Sequence, residues 1–198
     1  MTKTVTTKNY LSSFVQKLIT ELKIFQLNSE QELLKQCQKG DRQSQMTLYK
    51  KYARAMYQVS RNIIKDEMKA EEAMQDAFLS AFEKLDEFKA EVTFGSWLKK
   101  IVINKSLDYL KKDKMYQNAE SAENLQLLED SEEIDLSEKI EAVKKAMNDL
   151  PENYRIILSL YYLEGYDYEE ISEILNLSYA NSRVMLNRAK NKLITLLN

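Results

Sequence analysis

The chain has 198 residues, with 29 cations, 31 anions and no histidine, for a net charge of −2. That length suits one large or two small domains, and the missing histidines remove the commonest general base and the commonest transition-metal ligand together. Three glycines and one proline are too few turn residues for a sheet protein, so an all-α fold is expected. The single thiol, Cys37, excludes a disulfide framework and a cysteine zinc site and suits a reducing cytoplasm.

Residues 1–29 read as an N-terminal extension, polar at first, then amphipathic with Leu11, Phe14, Val15, Leu18, Ile19, Leu22 and Phe25 on one helical face. Lys17, Glu21 and Lys23 interrupt the apolar residues, so a signal peptide is not expected. No apolar run in the chain is long enough for membrane insertion as a span.

Residues 30–113 read as a continuous helical domain, broken at Lys39-Gly40-Asp41, near Lys65-Asp66-Glu67, and by a loop from Phe88 to Thr93. In the segment Lys69 to Phe88, helical spacing buries Ala73, Ala77, Phe78, Ala81, Phe82 and Leu85. Glu71, Glu72, Gln75 and Asp76 then form an acidic, amide-bearing strip on the opposite side. Such a strip is commonly a solvated face; the sharper reading is a docking surface for a basic partner helix. Without a histidine, an activated nucleophile or a positioned base, the carboxylates do not make an acid–base site.

The next motif, FGSWLKKIVINKSLDYLKK from Phe94 to Lys112, puts Trp97, Ile101, Asn104 and Asp108 on one face. Lys99, Lys100, Lys105, Lys111, Lys112 and Lys114 supply a positive field around it. Aromatics beside cations suit single-stranded nucleic acid, because bases stack on rings while lysines follow the backbone. A lone tryptophan on an apolar face, however, packs in a core more often than it serves as a stacking platform.

Residues 114–137 change character: Glu120, Glu123, Glu129, Asp130, Glu132, Glu133 and Asp135 have almost no cations among them. Too little apolar surface is available there to offset the entropy of ordering, so a flexible acidic linker is expected. Helices resume over 138–198, with a stop at Leu150-Pro151-Glu152. The last part reads as a helix-turn-helix. Its first helix runs from Tyr168 to Leu175, Asn176 makes the turn, and Ser178 caps the second helix. On that second helix Met185, Leu186, Ala189 and Leu193 form the buried stripe, and Arg183, Asn187, Arg188, Lys190 and Lys192 face outward. Asp167, Glu169, Glu170 and Glu173 are confined to the first helix, and this charge segregation favours contact with a nucleic-acid groove over a merely solvated amphipathic face.

Together these segments resemble the extracytoplasmic-function group of bacterial RNA polymerase sigma factors. LLKQCQKGDRQSQMTLYKKY (Leu33 to Tyr52) is similar to the family's first helix pair, AEEAMQDAF to its core-polymerase-binding helix, and Phe94 to Lys112 to its promoter-melting segment. LPENYRIILSLYYLEGYDYEEISEIL, with the RAK that follows, is similar to its C-terminal promoter-reading domain. Four motifs in the right order make the resemblance specific, although each alone is weak.

The resemblance implies a transcription initiation factor and not an enzyme, with no cofactor and no metal. It implies two small helical domains, a sigma region 2-like bundle at 30–113 and a sigma region 4-like helix-turn-helix at 138–198, joined by the acidic linker. Glu72, Gln75 and Asp76 fall where the family docks on core RNA polymerase. Phe88, Lys89 and their neighbours to Phe94 correspond to the loop that captures a flipped minus-ten base. Asn104 and Asp108 sit where the same strand is contacted, with Lys105, Lys111 and Lys112 completing that surface. Ser178, Asn181, Arg183, Asn187, Arg188 and Lys190 make up the minus-thirty-five surface. The implied partners are core RNA polymerase, promoter DNA in duplex and single-stranded form, and an anti-sigma factor; the implied location is the cytoplasm, on the nucleoid when active. The competing reading is a stand-alone helix-turn-helix regulator of duplex DNA. Departures from the family pattern include Lys69, where an aspartate is usual and one polar contact is expected to weaken. Ala180-Asn181-Ser182 stands in place of Gly-Thr-Val, with Ser182 expected to loosen the packing that a valine would give.

Overall fold

The computed structural model describes residues 16–17, 20, 29–117 and 136–198, and among the described residues every regular element is a helix. The expected amphipathic face of residues 1–29 and the core of the acidic linker lie outside the described residues. The elements are α1 (29–38), α2 (Arg42–Ile63), α3 (Glu67–Glu83), a 3-10 turn at Leu85–Glu87, α4 (Phe94–Gln117), α5 (Leu136–Asp149), α6 (Glu152–Leu158), a π-turn at Ser159–Leu163, α7 (Tyr168–Leu175) and α8 (Tyr179–Leu197). The three expected breaks fall at residues 39–41, 64–66 and 88–93. Helix α4 continues to Gln117 and α5 begins at Leu136, so helix extends into both ends of the segment read as linker.

The chain gathers into two compact units, residues 1–52 with 82–89, and residues 53–81 with 90–198. In the first unit Gly40 takes a positive φ of 83° to end α1, and Asp41 starts α2 by accepting the Ser44 N–H at 2.8 Å. Leu34, Cys37, Leu48 and Leu85 are buried here. Gln38 donates its side-chain amide to the Leu85 carbonyl at 3.3 Å. Burial first, and then the Asp41 charge, push the Cys37 thiol up to about 11, so it is an inert core residue.

In the second unit α3 presents a small-residue face: Ala70, Ala73, Ala77 and Ala81 are essentially inaccessible, with Met74 and Phe78 filling between them. Small side chains let neighbouring helices approach closely, and buried Ser60 and Ser106 meet at 3.0 Å between α2 and α4. Ser106 donates to the Val102 carbonyl at 2.8 Å, which leaves Ser60 as the donor between the two hydroxyls. Leu98, Val102 and Ile103 carry the buried side of α4. Farther along, α8 packs against α5, α6 and α7. Helix α6 is buried all round its second half, where Arg155 to Leu160 form an unbroken inaccessible run.

That run contains the least expected feature of the fold. Arg155 is 4% exposed and donates to two carbonyls at the end of α2, Asn62 at 2.6 Å and Ile63 at 2.8 Å. Helix ends leave such carbonyls without intrahelical donors, so the guanidinium caps α2 from a distant part of the chain. Its Nε is buried with no partner, and burial lowers its pKa from the ordinary value. Ser159 adds a longer contact to the Asn62 carbonyl at 3.4 Å. The π-turn that follows positions Glu164, which accepts from Asn62 Nδ2 at 3.3 Å and pairs with Lys99 at 3.3 Å.

Candidate nucleic-acid and polymerase-docking surfaces

The helix-turn-helix is assembled by local hydrogen bonds. Asp167 caps α7, its carboxylate accepting from the Glu169 and Glu170 N–H groups at 2.9 Å, while Glu170 accepts the Asp167 N–H at 3.0 Å. Asp167 therefore stands just before the helix, not within it. Asn176 takes the left-handed conformation, φ 52° and ψ 50°, and the Leu177 N–H closes the end of α7 on the Ser172 carbonyl at 2.9 Å. Ser178 then caps α8 by accepting the Asn181 N–H at 3.2 Å.

Helix α8 exposes Asn181, Arg183, Asn187, Arg188, Lys190 and Lys192 and buries Ser182, Leu186 and Ala189; Met185 and Leu193 are half-buried at the edges of the stripe. Ser182, expected to loosen the packing, gains a polar role in its place. It is inaccessible, and its hydroxyl lies 2.8 Å from the Tyr179 carbonyl and 3.3 Å from the Tyr168 carbonyl, linking the first turns of both helices. A valine could not make that link. The guanidinium of Arg183 lies 5.9 Å from the ring centres of both Tyr168 and Tyr179.

The second surface follows α4. Thr93 opens the helix by accepting the Ser96 N–H at 3.2 Å, and Ala90 in the preceding loop has a positive φ of 56°. Asn104, Asp108, Lys111 and Lys112 are exposed and Lys105 is half-buried, while Lys111 lies 3.4 Å from Asp108. In the loop Lys89 is exposed and Phe88 half-buried. Phe94 differs from the expectation. At 1% exposure its ring belongs to the core, because the first turn of α4 turns it inward, and it offers no surface to a DNA strand. Trp97 is half-buried, its ring 5.8 Å from that of Phe94. Lys99 leaves the expected positive field: it is held by Glu164 and sits 5.8 Å from the Tyr166 ring centre.

The third surface is on α3, where Glu71, Glu72, Gln75 and Asp76 are all exposed opposite the alanine face. Two residues not singled out from the sequence organise it. Tyr109 donates its hydroxyl to Glu72, and that bond, with burial and the nearby carboxylates, pushes the phenol up to about 12. Asp113 pairs with Lys69 at 2.7 Å, a bond that raises the lysine pKa. Lys69 thus replaces the usual aspartate with a contact between α3 and α4 in place of a bare loss. Neither partner carries a sequence signal, since both meet α3 only through the tertiary fold. Among the described residues no group of three or more Cys, Asp or Glu gathers to hold a metal ion. No described helix is long and apolar enough to cross a membrane.

The Sigma-70 region 2 family model matches residues 48–115, and the Sigma-70 region 4 model matches residues 140–193. The chain belongs to the extracytoplasmic-function group of the sigma-70 family. It is 29% identical over 163 residues to the ECF RNA polymerase sigma factor SigM of Bacillus subtilis, covering 76% of this chain and 93% of that protein. It is 28% identical over 175 residues to the ECF RNA polymerase sigma-E factor of Escherichia coli, covering 82% and 91%. The fold is shared with the solved sigma factor RpoE of Bartonella quintana, in complex with the anti-sigma factor NepR, at a TM-score of 0.55 and 22% identity, over 77% of this chain and 95% of that one. The present sigma factor is accordingly a transcription initiation factor that binds core RNA polymerase and directs it to promoters. Nothing favours the stand-alone regulator, which has no use for a region 2 segment.

Proposed function

We propose that the three surfaces divide the work of initiation. Glu72, Gln75 and Asp76 dock on core RNA polymerase. Arg183, Asn187 and Arg188 read the minus-thirty-five element in the major groove, with Ser178, Asn181 and Lys190 on neighbouring phosphates or base edges. Phe88 and Lys89 in the loop before α4, with Asn104, Lys105, Asp108, Lys111 and Lys112 on the helix, hold the opened minus-ten strand. Unstacking a base costs on the order of a few kcal/mol, which contacts on this surface must offset.

The observation that carries this reading is α8 itself, a helix capped at its entry whose exposed face bears Arg183, Asn187, Arg188, Lys190 and Lys192, with no acidic residue from Tyr179 to Leu197. The chain catalyses nothing itself; nucleotide addition belongs to the polymerase, and the chain supplies sequence preference. Residues 30–113 act as the minus-ten module and 138–198 as the minus-thirty-five module, with 114–137 as an acidic tether between them. Site of action is the cytoplasm, on the nucleoid during initiation. An anti-sigma factor is proposed as regulator, by likeness to the Bartonella quintana sigma factor solved with one.

The test is transcription of fragmented genomic DNA by purified bacterial core polymerase, with and without this chain. Discrete new start sites sharing upstream motifs are expected only when the chain is present. Duplex binding without new starts would overturn the division of labour.

A further inference from the structure

We propose that Tyr168 and Tyr179 form an aromatic brace that orients Arg183 for base reading, making them positioning residues for promoter selectivity. The inference rests on the assignment of Arg183 to the minus-thirty-five surface. The guanidinium carbon is 5.9 Å from each ring centre, and the two rings lie 6.0 Å apart at 70°, edge to face. Tyr161 backs Tyr168 at 5.4 Å, and Tyr162 packs against Tyr161 at 5.0 Å, so a row of four rings stands behind the arginine. The hydroxyl of buried Ser182 donates to the Tyr179 carbonyl at 2.8 Å and lies 3.3 Å from the Tyr168 carbonyl, so the backbones that carry the two rings meet at one side chain. Ring packing thus holds Tyr168 from behind, while Tyr179, 48% exposed, meets it edge to face on the solvent side.

The chemistry of this support matters. A carboxylate partner would occupy the N–H edge that must reach a guanine. An aromatic ring attracts the guanidinium through its quadrupole and leaves the N–H donors available. Among the described ion pairs none involves Arg183. Tyr179 sits one helical turn before Arg183 and Asn187 one turn after, so all three share the face presented to the groove. Holding a long side chain in place before DNA arrives reduces the ordering that binding would otherwise require.

The experiment uses the full chain with core polymerase on promoter libraries randomised at each minus-thirty-five position, comparing wild type, Tyr179→Leu, Tyr179→Phe, Tyr168→Leu and Arg183→Ala, with melting curves for each variant. Tyr179→Leu is expected to cut discrimination about threefold to tenfold at the position that Arg183→Ala relaxes, with other positions unchanged. Tyr179→Phe keeps the ring and is expected to keep selectivity. Combined with Arg183→Ala, Tyr179→Leu should add nothing. Equal loss at all positions, or a loss in Tyr179→Phe as large as in Tyr179→Leu, would overturn the brace in favour of a phosphate contact by the hydroxyl. If Tyr168→Leu fails to fold, the Tyr179 pair still decides. Arg183→Ala with unchanged preference at every position would refute the reading of Arg183 itself, and the brace with it. A normal Arg183→Ala effect beside wild-type behaviour of Tyr179→Leu would refute the brace alone.

Discussion

From Asp167 to Asn181 the groups that shape the backbone find partners two to five residues away, Asp167 with Glu169 and Glu170, Leu177 with Ser172, Ser178 with Asn181. At the end of α2 the partner lies 93 positions on, where Arg155 reaches the Asn62 carbonyl. The first region is held by short-range rules that any helix-turn-helix obeys, and its exposed face is free to vary. In the second, a cation is taken out of water to finish a helix it does not belong to. Burying a charge is costly unless every donor is used, and here the Nε is not used. The two regions differ in how much of their stability hangs on single side chains.

The largest effect is therefore expected at Arg155. Arg155→Ala leaves the buried Ile63 carbonyl without its donor, leaves the Asn62 carbonyl only the long Ser159 contact, and opens a void, at a cost of about 3 kcal/mol or more. Arg155→Met keeps volume and removes the desolvated charge, so it should lose clearly less. Urea denaturation of the full chain, compared at equal m-values, measures both. If methionine proves as harmful as alanine, the carbonyl caps dominate; if both are silent, the junction carries no stability and the contrast between the two regions collapses.

The same contrast explains what was legible in the sequence. The bounds of α7, the turn at Asn176 and the cap at Ser178 were readable because each depends on residue types within one turn of chain. The alanine face and exposed strip of α3 followed from helical period alone. Arg155 was not readable: a basic residue between Tyr154 and Ile156 looks like a surface charge until α2 is placed beside it. Phe94 failed for a related reason, since an aromatic opening a basic helix suits either a stacking platform or a core, and only packing decides. Tyr109 and Asp113 needed the approach of α3 to α4.

A middle-sized effect is expected at Ser182, where a locally readable motif hides a non-local link. If the serine merely loosened the packing, Ser182→Val would stabilise the chain toward the family pattern. The geometry favours the opposite sign. The site is inaccessible, its hydroxyl donating to the Tyr179 carbonyl at 2.8 Å with the Tyr168 carbonyl at 3.3 Å, so the larger, apolar side chain both loses a hydrogen bond and overpacks, for a loss of roughly 1–3 kcal/mol. Ser182→Ala should lose only the hydrogen bond, about 1 kcal/mol. Thermal unfolding in the order wild type, alanine, valine would place Ser182 with Arg155; a more stable valine variant would return it to the purely local class.

The smallest effect concerns the exposed strip, where a long-range contact lies at the surface. Tyr109 donates to Glu72, and this bond, followed by burial and the charges of Glu72, Asp76 and Asp113, raises the phenol from 10.0 to about 12. A group whose folded pKa is raised contributes fully below its unfolded value and loses that contribution as pH climbs through the folded one. Stability linked to Tyr109 should thus be constant up to about pH 10 and fall between there and about pH 12. Tyr166, also raised to about 12 but by burial first, adds a parallel loss, so the informative quantity is the difference between wild type and Tyr109→Phe. The variant should fall less steeply over that window and match the wild-type slope below it. Identical slopes throughout would mean that water screens the Tyr109–Glu72 bond as it screens most surface pairs, and that no intramolecular partner competes for the Glu72 carboxylate.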